Sequence, residues 1–278
     1  MSRTIALCFE YDGTAFCGSQ WQTDGRSVQG DLEAAWRRLT GETLRWTFAG
    51  RTDAGVHALA QVAHCQSETR HSLDTLVRAL NALTAADLTI HEAWELPGDF
   101  HARFSARQRS YRYLLDLSPS PSALLHERVL AVGQPLDIAA MAQALELLVG
   151  EHDFAAFTGA GQVGGTLRTC SAASIAAGEM LGRPLVTVNL SANAFLKHMI
   201  RNIVGTLLMV GQGRMDLDGW AAVFASRDRR KAGPTAPPHG LYLETISYDP
   251  AFAPLEASAR WDGKTAWRTY GKSSQPAR

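Results

Sequence analysis

The chain has 278 residues, 46% of them hydrophobic, and its 27 basic and 27 acidic side chains give a formal net charge of zero. That length can bury one large core or two smaller ones, and the apolar share is that of a globular protein rather than a low-complexity chain. The charge balance excludes a global field that would draw in a nucleic acid, so any such partner has to be recognised by local clusters.

The four cysteines, Cys8, Cys17, Cys65 and Cys170, form no C-x-x-C and no metal-ligand spacing. This predicts a reducing, cytoplasmic setting without disulfides and without a bound metal. The N-terminus, MSRTIALCFEYDG, lacks the long apolar run of a signal peptide, and no stretch approaches membrane-span length. Residues 159–164 fit G-x-G-x-x-G, but a strand pattern rather than a helix follows, so the context of a dinucleotide site is missing and the run reads as a mobile loop. No cofactor is expected.

In chain order, residues 4–11 alternate as a strand and stop at Asp12-Gly13. Ser27 can cap a helix with Val28, Leu32, Trp36 and Leu39 on one face. Leu44, Trp46 and Phe48 alternate as a second strand, and a third begins near Leu59. Ser72 caps another helix carrying Leu73, Leu76, Val77 and Leu80, and residues 88–96 form a strand. The order is β-α-β-β-α-β, a ferredoxin-like arrangement. The second half repeats it: a strand from Tyr111, a helix capped by Asp137 and stopped by Gly150, strands at 168–176 and 184–190, an apolar helix over 194–210, a short helix from Asp218, and a closing strand over 240–248. The expected fold is therefore α+β, two ferredoxin-like halves with antiparallel or mixed sheets around a central cleft. The boundaries fall at 1–105, 106–249 and a flexible tail over 250–278, with the ligand in the cleft.

Three stretches carry candidate chemistry. In 48–65, FAGRTDAGVHALAQVAHC, two strands hold a loop with Arg51, Asp53 and His57. Such a loop is a rigid mount for a reactive group; by spacing alone it fits equally a charged hairpin turn with Arg51 and Asp53 as a solvated pair. In 100–113, FHARFSARQRSYRY, four arginines interleave with Phe104, Tyr111 and Tyr113 and no acidic residue intervenes. This suits phosphate neutralisation and base stacking, with Arg107 and Arg109 as candidate RNA contacts, or a basic edge strand. In 194–211, AFLKHMIRNIVGTLLMVG, Arg201 sits in an apolar helix, where a cation is costly unless paired or snorkelling.

The run GRTDAGVHALAQVAH resembles the catalytic segment of the tRNA pseudouridine synthase A family, and the resemblance extends over YRY, the Arg201 helix and AGPTAPPHGLYL, from about Ile5 to Tyr248. It implies the pseudouridine synthase fold, Asp53 as catalytic carboxylate, Arg201 as its cationic partner and Tyr111 against the target base. It also implies a cofactor-free homodimer that isomerises uridine to pseudouridine at positions 38, 39 and 40 of the tRNA anticodon stem-loop. The carboxylate can add to the sugar C1′, add to the base or abstract a sugar proton. Arg51 and His57, beside the loop, are expected to contact backbone phosphate or the displaced nucleotide. Two segments depart from the family pattern: Gly18-Ser19-Gln20-Trp21-Gln22, where G-W-Q is usual, and Asn81 to Asp87, where N-x-x-L-P-x-D is usual; both bear on tRNA contacts. The alternative is a non-catalytic RNA-binding module of the same fold, which leaves Asp53 without a purpose, since a carboxylate repels phosphate.

Overall fold

The computed structural model describes residues 2–161 and 164–252, and the backbone of 268–270. Its secondary structure is mixed α+β, as expected. The described residues group into two compact units, one from 2–111 with 241–252 and the other from 112–240 with 268–270.

The first unit is built on β1 (Arg3–Tyr11), which pairs antiparallel with both β3 (His57–Ser67) and β4 (Leu88–Leu96). Its two neighbours cover its edges, and its faces are covered as well: Ile5, Leu7 and Phe9 on one side and Ala6 on the other are all fully enclosed. Two helices belong to this unit: α1 (Val28–Thr40) and α2 (Leu73–Leu83). Each begins at the predicted serine, Ser27 Oγ accepting from the Gly30 N–H and Ser72 Oγ from the Thr75 N–H. Such caps contribute about 1 kcal/mol each. β2 is only Thr47–Phe48, shorter than the expected strand. The backbone of Trp46 is occupied elsewhere: its N–H donates to Glu33 and its carbonyl accepts from Gln29, both side chains of α1.

In the same unit β10 (Leu241–Tyr248) pairs parallel with β3, Tyr242 opposite His57 and Leu243 opposite Ala58. The sequence had set this strand at the end of the second half; the chain returns with it to the first. β5 (Ala106–Asp116) lies next to β10 in the strand order.

In the second unit β8 (Leu167–Met180) and β9 (Arg183–Ala192) form a long antiparallel hairpin. β6 (Leu130–Ala131) runs parallel to the end of β5, and β7 (Gly150–Asp153) antiparallel to β8. The helices are α3 (Ile138–Glu146), capped by Asp137, α4 (Met199–Gly211) and α5 (Leu217–Ser226), capped by Asp216. Trp220 packs against Phe157, and Phe224 against Phe154 and Phe157. α4 starts five residues later than its apolar pattern predicts, because the Lys197 carbonyl accepts the Gly159 N–H and His198 takes a left-handed conformation. Of the expected tail, Pro250–Phe252 is a single 3-10 turn and Arg268–Tyr270 (β11) pairs with β8. Residues 253–267 and 271–278 lie outside the described residues, as do Gln162 and Val163 of the glycine-rich loop.

Candidate active site

Residues 49–56 join β2 to β3 and are fastened at successive points. The Ala49 N–H donates to the Val62 carbonyl at 2.8 Å, prolonging the β2–β3 ladder, and the Ala49 carbonyl accepts from Arg109 Nη2 at 3.0 Å. The Gly50 carbonyl accepts from Gln61 Nε2 at 2.9 Å. Thr52 is bolted inward by three bonds. Its N–H donates to Ser19 Oγ at 2.8 Å, its carbonyl accepts the Ser19 N–H at 3.1 Å, and its hydroxyl lies 2.8 Å from Tyr11 OH. Gly55 closes the turn at φ +75°, a conformation that a side chain would strain. With Thr52 buried, its neighbours are left outward: Arg51 is exposed and Asp53 half-buried.

Tyr111 completes this corner of the first unit. It is 7% exposed, and its hydroxyl lies 3.7 Å from where a β-carbon on Gly50 would stand. Burial pushes its phenol up, and the nearby Tyr11 and Asp53 push the same way against the Arg109 guanidinium. The group is therefore a neutral O–H at any working pH. Tyr11 is likewise pushed up to about 12 by burial. A half-buried carboxylate on a rigid loop beside a neutral aromatic ring can bring a carboxylate to bear on a planar base.

The remaining predicted residues are placed as follows. His57 is 2% exposed, stacked on Tyr242 with ring centroids 4.6 Å apart. Its Nδ1 lies 3.0 Å from the Gly13 nitrogen and 3.1 Å from Asp12 Oδ1, behind the loop. Arg109 is 8% exposed and donates to the carbonyls of Ala49, Arg103 and Ala106, and burial lowers its pKa. Arg107 is exposed and paired with Asp249. Arg201 belongs to the second unit, half-buried on α4. Its Nε donates to the Ala236 carbonyl at 2.7 Å while its own carbonyl accepts the Ala236 N–H at 3.0 Å.

Sequence reasoning passed over Tyr11, Ser19 and Gln61, which hold the loop from behind. The signal for Gln61 was a polar side chain inside the apolar run ALAQVAHC. Ser19, in one of the two departing segments, is 1% exposed and grips Thr52. In the other departing segment, Asp87 binds Arg26 through two oxygens. Among the described residues no group of three or more His, Cys, Asp or Glu is placed to hold a metal ion, and no helix is long and apolar enough to cross a membrane.

Residues 7–105 and 144–249 match the family model described as tRNA pseudouridine synthase, well over half of the chain. The chain belongs to the tRNA pseudouridine synthase family. A relative from Chloroflexus aurantiacus named tRNA pseudouridine synthase A is 54% identical over 265 residues, 95% of each chain. One of the same name from Roseiflexus castenholzii is 54% identical over 246 residues, 88% of this chain and 91% of its own. Another, from Ralstonia nicotianae, is 43% identical over 254 residues, 89% and 91% of the two chains. The family match spans loop 49–56, the Arg201 helix and β10 but leaves out 106–143, where Arg107, Arg109 and Tyr111 lie.

Proposed function

We propose that the chain is an isomerase converting uridine to pseudouridine in tRNA, at positions 38, 39 and 40 of the anticodon stem-loop, acting as a cytoplasmic homodimer. The observation that carries the reading is loop 49–56, which belongs to the matched part of a tRNA pseudouridine synthase and presents Asp53 beside Tyr111. Positions and assembly rest on the family resemblance alone, and location on the cysteine pattern.

In the reaction the N1–C1′ bond breaks, the uracil turns and C5 bonds to C1′. C5 loses its proton to solvent and N1 gains one, so nothing is oxidised or reduced. Asp53 is the reacting carboxylate, and the bolted Thr52 limits how far it can move. Tyr111 packs against the base, and its neutral hydroxyl brings no second negative charge to the carboxylate. Arg51, exposed beside Asp53, faces phosphate or the displaced nucleotide. Arg201 as the carboxylate's cationic partner rests on the family resemblance alone; within its own unit its Nε donates to the Ala236 carbonyl. For His57 and Arg109, burial and backbone bonds favour holding the loop over touching RNA; Arg107 remains the exposed phosphate contact of the pair.

The test is release of tritium from tRNA carrying C5-labelled uridine, with a chelator present. Wild-type protein should release it, and Asp53→Asn should lose at least a thousandfold in kcat while tRNA affinity stays within about twofold. No release from intact tRNA by the wild type overturns the reading. An Asp53→Asn protein of undiminished activity moves the chemistry elsewhere.

A further inference from the structure

The turn between β4 and β5 is tied down throughout its backbone. The His101 N–H donates to Ser105 Oγ, the Ala102 N–H to His64 Nδ1, the N–H groups of Arg103 and Phe104 both to His101 Nδ1, and the Ser105 N–H to the His101 carbonyl. Carbonyls are held as well, Ala102 by Tyr248 OH at 2.8 Å and Arg103 by Arg109 Nη2 at 2.5 Å. A segment fixed this fully does not expose a side chain through looseness.

Yet it presents Phe104 at 77% exposure. A phenylalanine left in water forgoes the stabilisation that burying its ring would bring, so the rigid turn holds it on display at a cost in stability. The ring lies on the His101 imidazole, centroids 4.3 Å apart and planes 28° from parallel, and the Arg103 guanidinium stands 5.7 Å from the ring centroid. A flat ring backed by a second ring and flanked by a cation suits a base and its phosphate. The turn is also coupled to the candidate active site, because Arg109 Nη2 binds both the Arg103 carbonyl and the Ala49 carbonyl that opens the Asp53 loop.

We propose that Phe104 is a stacking platform for an unpaired base of the substrate RNA flanking the target uridine, with Arg103 on the adjoining phosphate. The proposal rests on the RNA-modifying function above. The basic surroundings select RNA over an apolar protein surface, since Arg103 is exposed beside Phe104 and Arg107 follows three residues on. One base is held on the ring while its neighbour is turned out towards Tyr111 and Asp53.

The experiment compares the wild-type protein with Phe104→Ala, Phe104→Leu and Phe104→Trp, measuring Kd for tRNA and tritium release on the same preparations. Phe104→Ala should weaken binding about tenfold, equivalent to about 1.4 kcal/mol, with kcat at saturating tRNA nearly unchanged. Phe104→Leu restores apolar area without a π face and should stay weak. Phe104→Trp should bind as the wild type does and add a tryptophan fluorescence that RNA quenches. Equal Kd for all four proteins, or leucine as good as tryptophan, overturns the platform while tritium release by the wild type leaves the catalytic reading standing. If Phe104→Ala instead changes the sedimenting mass at unchanged Kd, the ring serves a protein interface and the proposal fails. A wild type that releases no tritium but binds RNA through Phe104 separates the two the other way.

Discussion

His64 shows how one side chain can make a unit sensitive to acid. Its Nδ1 accepts the Ala102 N–H, and a backbone bond at Thr47 engages the ring as well. Burial and then the neighbouring charge of His101 push its pKa down from 6.5 to about 4, and the Thr47 bond only partly offsets them. Unfolded chain takes up a proton below pH 6.5 that folded chain refuses until about pH 4. Stability is therefore fully present above pH 6.5 and drains as pH falls through that window, by about 1.4 kcal/mol per unit. Thermal melts from pH 7.5 to 4.5 should show Tm dropping below pH 6.5, and His64→Gln, which can donate and accept without titrating, should flatten that part of the profile. A profile unchanged by the substitution would place the acid sensitivity in another group. At this scale the sequence was most informative in the long run GRTDAGVHALAQVAH, which carried the family resemblance. It was least so for Arg109, because a count of arginines carries no information on direction. Four arginines in 103–112 read as one basic strip, whereas the fold turns Arg109 inward on three carbonyls and leaves Arg103 and Arg107 out.

Among elements, three helix starts were legible because capping is local chemistry, whereas α4 begins later than its apolar run and α5 is capped by Asp216 rather than starting at Asp218. Ser27, Ser72 and Asp137 each accept the N–H three residues on. Long-range pairing was not legible, since nothing in the pattern of 241–248 says that it joins β3 rather than a strand nearer in sequence. The same holds for the clamp on α4. The segment 233–237 is pressed onto this helix by a network that no periodicity reveals. Asn202, fully buried, donates to the Phe157 carbonyl, and its side-chain oxygen accepts from Arg229 and Thr235. Thr206 accepts the Gly233 N–H. The approach is so close that a β-carbon on Gly205 would stand 1.7 Å from the Pro234 carbonyl oxygen, a backbone atom with no freedom to swing aside. Gly205→Ala should therefore cost about 2 kcal/mol or more. It should also displace Ala236 from Arg201 and depress kcat more than KM. Urea unfolding with parallel kinetics tests this, and an alanine protein as stable and active as the wild type would mean that the segment is not pinned there.

For the molecule as a whole, a net charge of zero leaves RNA affinity to particular exposed cations. Each phosphate contact adds roughly 0.7–0.9 to the magnitude of the log–log salt slope, so the slope counts cations at the interface, which affinity alone does not. Arg107 and Arg109, only two residues apart, should then separate cleanly. Arg107 is exposed, so Arg107→Ala should weaken tRNA binding and shallow the slope by about one contact, with kcat preserved. Its charge is shared with Asp249, half-buried within the same unit. Asp249→Asn frees the guanidinium and removes a negative charge, and should tighten binding at low salt and steepen the slope. Arg109 faces inward, so Arg109→Ala should leave the slope unchanged. Losing the donor to Ala49 loosens the Asp53 loop, and the cost should fall on kcat, by tenfold or more, with partial rescue by Arg109→Lys, which keeps the charge but reaches fewer carbonyls. Titrations of tRNA between 50 and 300 mM salt, with turnover measured at saturating tRNA, distinguish the two. If Arg109→Ala shallows the slope as Arg107→Ala does, its guanidinium reaches RNA in the complex and the buried arrangement is not the one that binds substrate.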